Sequence, residues 1–158
     1  MSSSSDLAAL FSPPDSGIVL IITVGNEYRS DDGVGPYIAG GLKNPLSHIA
    51  ILNAGERPEN IVFKAIELNP STAVIIDAAN FGGRPGEARI IPESSVPDCI
   101  HSTHNFPLNI VSRLIAEDTG AKVWFVGIQY ESIAFGEGLS AEVRASADEI
   151  IKMISNSR

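Results

Sequence analysis

The chain has 158 residues, 44% of them hydrophobic, one cysteine and a formal net charge of −8. This length fits one domain with a substantial buried core, and the acidic balance disfavours non-specific binding to nucleic acid, which requires a basic surface. The lone Cys99 excludes a disulfide within the chain and fits a reducing cytoplasm, and we interpret it as an incidental thiol. No apolar run approaches the roughly 20 residues of a membrane span.

The first third of the chain predicts an arm, a buried strand and a helix. Residues 1–16 lack the basic start of a signal peptide. Their short apolar patch, Leu7 to Phe11, ends at Pro13-Pro14, so we expect a flexible or loosely docked N-terminal arm before a single domain over residues 17–158. Ile18–Val24 is continuously apolar and β-branched, which is typical of a strand buried on both faces of a parallel sheet. A Gly-rich acidic loop follows. Pro36 fits only the first turn of a helix, which we predict from about Gly33 toward Lys43.

The middle of the chain alternates strand and helix patterns. Apolar runs at residues 49–52 and 73–76 predict two further buried strands, and residues 58–68 show helical spacing after an opening proline. Residues 87–91 have mixed polarity and follow the third strand too closely for a helical crossover. They therefore predict a short antiparallel strand at the edge of the sheet.

The last third of the chain continues this alternation. A polar linking loop over residues 92–103 leads to a predicted helix at 105–116, a strand at 122–126 and a final helix from about 139 to 155, capped at Leu139-Ser140. Together these elements predict an α/β fold. We expect a single three-layer domain with a twisted, mostly parallel five-stranded sheet and helices on both faces.

Polar side chains collect at the turns that follow the predicted parallel strands. They are Asn26, Asp31, Asp32, Asn53, Asp77 and, near a helix start, His104. Because parallel strands present their carboxyl ends at one edge of the sheet, we expect these turns to meet there. Two Asp and one His from distant parts of the chain can bind a divalent transition ion and leave coordination positions open for a substrate.

Each member of this set also has a structural interpretation. Asp31 or Asp32 can cap the helix that begins nearby, since Asp is a favoured N-cap residue. Asp77 directly follows a buried strand with no helix start beside it, so its carboxylate needs a partner. The helix N-terminus near His104 keeps an imidazole neutral and able to bind metal, whereas a surface or capping histidine is the alternative.

Three common enzyme motifs are missing from the sequence. It contains no Gly-x-Ser-x-Gly elbow, no His-Glu-x-x-His helix and no Gly-x-Gly-x-x-Gly after the first strand. A classical serine hydrolase, a standard zinc peptidase and a dinucleotide-binding fold are therefore disfavoured.

Five segments, taken in order, resemble the hydrogenase maturation endopeptidases, most closely the hydrogenase 3 type. The segments are Gly25-Asn26 with Asp31-Asp32-Gly33-Val34-Gly35-Pro36, Asn53-Ala54-Gly55 with Pro58-Glu59-Asn60, Ile76-Asp77-Ala78 with Pro85-Gly86, Ser102-Thr103-His104-Asn105-Phe106-Pro107-Leu108, and Gly127-Ile128-Gln129. Single segments are weak signals, but the ordered set is specific. The resemblance implies a phosphorylase/hydrolase-like fold and an aspartyl-type endopeptidase of the cytoplasm.

The substrate that this resemblance implies is the nickel-loaded precursor of the large subunit of a [NiFe] hydrogenase, whose C-terminal extension is removed after a basic residue. It implies that Asp32, Asp77 and His104 are both the catalytic and the metal-binding residues, with Ni²⁺ supplied by the precursor. Docking or supporting roles are implied for Asn26, Asp31, Asn53, Gly55 and Gln129. The family often has Asp where this chain has Asn53, so an acidic role of that turn is left open.

Three other functions remain open for the sequence. A noncatalytic, nickel-dependent chaperone would bind the precursor through the same three residues without cutting it. A metal-dependent hydrolase would act on a small amide. A nucleotide-binding regulator is disfavoured, because the acidic loop after the first strand would repel phosphate.

Overall fold

The computed structural model describes residues 2–13, 15–100 and 107–158. The described strands are β1 (Val19–Val24), β2 (Ile49–Gly55), β3 (Thr72–Ala79), β4 (Ala88–Ile91) and β5 (Lys122–Gln129). The described helices are α1 (Ser4–Ala9), α2 (Val34–Gly41), α3 (Val62–Leu68), α4 (Val96–Cys99), α5 (Leu108–Thr119) and α6 (Ala141–Ser155), with short 3₁₀ helices at Ser30–Gly33, Pro58–Ile61 and Glu93–Ser95. None of these helices combines the length and the apolar character that a membrane crossing needs.

One sheet joins the described strands in the order β2-β1-β3-β5-β4. Strands β1, β2, β3 and β5 run parallel, and β4 pairs antiparallel with β5 at the edge. The predicted five-stranded, mostly parallel α/β sheet with an antiparallel edge strand is therefore confirmed. Strand β1 is buried throughout because a strand pairs with it on each side and helices cover both faces, which explains its continuously apolar sequence.

Two hydrophobic clusters lie on opposite faces of this sheet. Side chains alternate along β1, so Val19 and Ile21 pack with the helices α1, α2 and α6, whereas Leu20 and Ile22 pack with α3, α4 and α5. This alternation is the ordinary consequence of strand geometry. The molecule is thus a three-layer domain, as predicted.

Several elements differ from the sequence prediction at their ends. Strand β3 continues through Asp77 to Ala79 because it stays buried and paired with β5 beyond the last large apolar residue. The prediction that this strand ends before Asp77 is therefore wrong. The segment at 92–103, predicted as a polar loop, contains α4, and Cys99 on this helix packs against the core.

The N-terminal arm carries structure that the sequence pattern did not predict. Helix α1 begins with a capping box at Ser3, and its Leu7, together with the following Phe11, is buried in the cluster under α6, with 5% and 1% exposure. The Ser2 hydroxyl accepts a hydrogen bond of 2.9 Å from the Ile90 N–H on the edge strand β4. The flexibility of this arm stays a prediction, but the arm contributes side chains to the core.

Candidate active site

The loop that follows β1 folds back against the end of that strand, because two glycines leave room for it. Gly25 has a φ of +146°, and a Cβ atom there would lie 1.9 Å from the carbonyl oxygen of Asp32. A Cβ atom at Gly35 would lie 2.4 Å from the carbonyl oxygen of Val24. Only glycine tolerates such close approach, so these two positions fix the backbone that carries the paired carboxylates.

Asp32 lies inside this loop and is only 6% exposed. Its Oδ2 atom accepts a hydrogen bond of 3.0 Å from the Asn26 N–H. The Asn26 side chain joins two loops, since its Oδ1 accepts from the Tyr28 N–H and its Nδ2 donates to Oε1 of Glu56, both at 2.9 Å. These bonds show that Asn26 holds the two loops together. Its docking or supporting role toward a substrate stays a prediction.

Asp31, the neighbouring carboxylate, anchors the segment after β5. It is 1% exposed and accepts hydrogen bonds from the N–H groups of Glu131, Ser132 and Ser140 at 2.8, 3.3 and 2.7 Å. Neither the 3₁₀ helix at Ser30–Gly33 nor α2 has a side-chain cap. The interpretation of Asp31 as a helix cap is therefore wrong, and its carboxylate supports the loop.

Asp77 lies within β3 and is 1% exposed. It pairs with Gly127 of β5, and its Oδ1 accepts a hydrogen bond of 2.8 Å from the Ala78 N–H. By strand alternation it shares a sheet face with Ile75 and Ala79, which belong to the cluster under α3 and α5. Strand β3 also contacts the 3₁₀ helix that carries Asp32, so the structure brings both carboxylates to one edge of the sheet.

Asn53 and Gly55 shape the loop that follows β2. The Asn53 Oδ1 atom accepts hydrogen bonds from the Thr23 hydroxyl and from the Gly55 N–H, both at 3.1 Å. Gly55 has a φ of +57°, and its carbonyl oxygen accepts a 2.8 Å hydrogen bond from the Gly25 N–H. These bonds tie the ends of β1 and β2 together, and the roles of both residues toward a substrate stay predictions.

Gln129 ends β5 and holds the turn after β3. Its Oε1 atom accepts hydrogen bonds from the N–H groups of Phe81 and Gly83, at 2.9 and 3.1 Å. Its Nε2 atom donates to Oδ1 of Asn80 at 3.3 Å and to the Tyr130 carbonyl oxygen at 3.2 Å. The side chain is 6% exposed and its amide is engaged at both ends, which suits support of the fold at the site edge.

His104, the third predicted ligand, lies outside the described residues. Within the described part of the chain, no group of three or more His, Cys, Asp or Glu side chains is arranged to hold a metal. The metal-binding trio therefore stays a prediction, to which the structure contributes the placement of Asp32 and Asp77.

Comparison with known proteins identifies the family. The family model described as HycI, hydrogenase maturation protease, matches residues 38–157. The hydrogenase 3 maturation protease of Escherichia coli K12 is 31% identical over 137 residues, which cover 85% of this chain and 87% of that protein. The chain belongs to the hydrogenase maturation protease family.

Solved structures of this protease family have the same fold. The crystal structure of the [NiFe] hydrogenase maturation protease HycI from Thermococcus kodakarensis KOD1 has a TM-score of 0.82 and 33% identity, covering 94% of this chain and 96% of that one. The solution structure of the endopeptidase HycI from Escherichia coli has a TM-score of 0.79 and 30% identity, covering 87% and 89%. The resemblance to hydrogenase maturation endopeptidases that the five segments indicated is confirmed.

Glu59 is a further polar residue near the site of this maturation protease. Its Oε2 atom is buried and has no hydrogen-bond partner among the residues that the structure describes. The residue lies in the 3₁₀ helix Pro58–Ile61, which contacts β2 and α5 and therefore follows a strand end at the same sheet edge. The sequence showed Glu59 only as part of a matching segment, because an acidic residue in a first helical turn is ordinary.

A groove of about 1070 Å³ lies at the opposite edge of the sheet, where β3 and β5 begin. Thr72, Lys122 and Trp124 are among its lining residues, and none of the described site residues takes part. A groove of this size is large enough to hold a small ligand. We place the candidate active site at the other edge, because the carboxylates and the loops that position them gather there.

Proposed function

We propose that this maturation protease is an endopeptidase that removes the C-terminal extension of the nickel-loaded [NiFe]-hydrogenase large-subunit precursor. In this proposal Asp32, Asp77 and His104 contact the nickel that the precursor carries, so the metal serves as the recognition element. The reaction takes place in the cytoplasm, in agreement with the lone cysteine. Cleavage would then depend on prior metal insertion into the precursor.

The proposal is supported above all by the two buried carboxylates, Asp32 and Asp77, at one edge of the sheet in a chain of this family. They are 6% and 1% exposed, and removing carboxylates from water is costly unless cations or hydrogen-bond donors compensate. Oxygen and imidazole ligands alone hold nickel weakly, whereas thiolates of the precursor would add soft ligands. We therefore expect the ion to bind jointly to protease and precursor.

The hydrolysis requires a positioned water molecule and a group that accepts its proton. A carboxylate of Asp32 or Asp77 would accept this proton as the water oxygen bonds to the scissile carbonyl carbon. The carbon–nitrogen bond then breaks, and the departing amine takes up a proton and leaves with the tail. The precursor's nickel, held against the trio, would polarise or position the peptide bond.

The test compares a nickel-loaded with a nickel-free precursor, each incubated with the purified protease, and follows the mass of the large subunit. The expected result is loss of the C-terminal tail from the nickel-loaded precursor alone. The variants Asp32→Asn, Asp77→Asn and His104→Ala should leave the precursor uncut. Asp118→Asn and His48→Ala serve as matched controls, because they change the same residue types away from the site edge, and they should cut normally.

Other outcomes would favour the alternatives. Equal cleavage of both precursors would show that nickel is not the recognition element. Nickel-dependent binding without any change in mass would indicate a chaperone. Metal-dependent turnover of small amides with no action on either precursor would indicate an amide hydrolase, and normal cleavage by the Asp77→Asn and His104→Ala variants would exclude the proposed trio.

A further inference from the structure

Two aromatic side chains project into solvent from the loops beside Asp32. Phe135, in the segment between β5 and α6, is 83% exposed, and Tyr28, in the loop after β1, is 58% exposed. Single exposed apolar residues are common on protein surfaces. These two differ because the backbone beneath them is fixed in place next to the candidate active site.

Backbone hydrogen bonds join the two loops. The Ser30 N–H donates to the Gly136 carbonyl oxygen at 2.8 Å, and the Gly136 N–H donates to the Tyr28 carbonyl oxygen at 2.9 Å. Arg29 and Gly136 form an isolated β-bridge. The segment that presents Phe135 is therefore paired, like a short strand, with the loop that carries Asp32.

Side chains reinforce this pairing. The Ser30 hydroxyl donates to the Ala134 carbonyl oxygen at 2.7 Å, and the buried Asp31 carboxylate holds the N–H groups at both ends of the segment, those of Glu131 and Ser140. Ser30 has a φ of +52°, a left-handed conformation that persists only when its surroundings impose it. Two loops held so firmly keep their exposed aromatic rings at a defined position.

The exposed charges around Tyr28 and Phe135 are mainly negative. The guanidinium carbon of Arg29 lies 5.0 Å from the centroid of the Phe135 ring, and its Nε donates to the Ile133 carbonyl oxygen at 3.2 Å, so the cation is partly covered and engaged. The charged side chains that are exposed on these two loops are those of Glu27, Glu131 and Glu137. The exposed rings thus stand among carboxylates.

We propose that the surface formed by Tyr28, Phe135, Glu27, Glu131 and Glu137, here named the aromatic rim, docks a basic, partly apolar segment of the precursor close to its cleavage point. The inference rests on the proposed function. Exposed aromatic rings on a fixed backbone bind apolar groups at a small entropic cost, and the surrounding carboxylates favour cationic side chains. Because Tyr28 belongs to the loop that carries Asp32 and the Phe135 segment is hydrogen-bonded to that loop, a segment docked on the rim would lie close to the reacting bond.

The first experiment measures cleavage of the nickel-loaded precursor by Phe135→Ser. We expect KM to rise roughly tenfold with kcat retained, as for loss of one aromatic docking residue. Phe63→Ser is the matched control, since Phe63 is an equally exposed phenylalanine, at 86%, but lies on α3. Its KM should equal that of the unmodified protease, and an equal rise in both variants would overturn the proposal.

The second experiment tests the charge. The double variant Glu131→Gln, Glu137→Gln should raise KM, and the salt dependence of KM should weaken, because these two carboxylates no longer attract the segment. Unchanged KM in this variant would overturn the role assigned to the carboxylates.

Binding must be measured beside cleavage to separate this inference from the proposed function. The Kd of the unmodified protease for the precursor, compared with that of Phe135→Ser, tests the rim even where no tail is released. Binding without cleavage that weakens roughly tenfold in Phe135→Ser would reject the peptidase activity and support the rim. Cleavage by an enzyme whose Kd and KM are both insensitive to Phe135→Ser would support the activity and reject the rim.

Discussion

The Asp31 carboxylate accepts hydrogen bonds from both the backbone N–H and the hydroxyl of Ser140, a residue 109 positions later in the chain. Ser140 is the N-cap residue of α6, yet its side chain makes no capping bond to that helix. Its hydroxyl is directed to the loop after β1 instead. Two adjacent carboxylates therefore have different environments, since Asp31 connects distant loops and Asp32 lies at the site edge.

The role of Asp31 as an acceptor that connects distant loops predicts that Asp31→Asn destabilises the protein. The change removes the charge from an acceptor that several donors share, and hydrogen bonds to a charged group contribute about 1.5–3 kcal/mol each. We expect the free energy of unfolding to fall by about 3 kcal/mol, as measured by urea denaturation. The exposed Asp118→Asn on α5 is the control and should change it by less than about 0.5 kcal/mol. Equal stability of the Asp31 variant and the unmodified protein would contradict the anchoring role.

Two glycines in neighbouring elements should respond oppositely to alanine. Gly25→Ala places a methyl group against the Asp32 carbonyl oxygen in a backbone conformation that suits glycine, so we expect a loss of about 2 kcal/mol or more. At Gly40, on α2, an added Cβ atom meets no atom within 4 Å apart from its chain neighbours and the nearby backbone of its own helix. Gly40→Ala should therefore raise stability by roughly 0.5–1 kcal/mol through helix propensity. Thermal or urea unfolding of both variants measures the difference. A stable Gly25→Ala protein with normal cleavage would show that the tight loop is not required.

A tyrosine contact between α2 and α6 predicts a loss of stability at alkaline pH. The Tyr37 hydroxyl donates to Oδ1 of Asp148 at 2.8 Å, and this bond raises the pKa of Tyr37 above its ordinary value of 10.0. A raised pKa in the folded state means that the contribution is present below pH 10.0 and is lost as pH rises through the folded pKa. Tyr37→Phe should therefore be less stable than the unmodified protein at pH 7, and the gap should close at alkaline pH.

Urea unfolding across this pH range measures the gap between the two proteins. The matched background is Asp148→Asn, in which Tyr37→Phe should have a smaller effect because the charged acceptor is already gone. A gap that is the same at all pH values, or the same in both backgrounds, would rule out the Tyr37–Asp148 bond as its source.

The carboxylate of Glu59 is expected to lower the free energy of unfolding. Its buried Oε2 atom has no hydrogen-bond partner within the described ranges of the chain, and such an acceptor costs about 1–3 kcal/mol. Glu59→Met, which keeps the length of the side chain, should therefore raise the free energy of unfolding by about 1 kcal/mol. Glu67→Met at an exposed position of α3 is the control and should have little effect. Urea denaturation checks both variants, and a destabilised Glu59→Met protein would show that its carboxylate is satisfied in solution.

The sequence predicted the sheet well because its central strands β1 and β3 are buried along their whole length. Runs such as Ile18–Val24 admit few alternatives, and the short connection to residues 87–91 required an antiparallel edge strand. The strand ends were harder to predict. Strand β3 continues through Asp77 because pairing with β5 outweighs the unfavourable intrinsic preference of Asp, and a hydrophobicity pattern does not contain that pairing.

The location of the candidate site could be predicted from the sequence, but the long-range hydrogen bonds that hold its loops could not. Asp32 and Asp77 were expected at one edge from topology alone, and the structure places them there. The anchoring role of Asp31 depends on partners about 100 positions away, and the loop pairing under Phe135 depends on contacts of the same range. A single sequence carries no local pattern for such contacts. Helix α1 was missed because its Ser-rich sequence resembles a disordered terminus.

The hydrogen bond between Ser2 and Ile90 has a consequence for how this protein behaves at high concentration. Strand β4 ends the sheet, and unpaired N–H groups on an end strand can recruit a strand from another molecule. The N-terminal segment engages one such donor and also covers apolar core with Leu7 and Phe11. A shortened chain that starts after this segment would therefore expose an unpaired donor on the edge strand and an apolar surface of the core. We expect such a chain to self-associate during expression and purification.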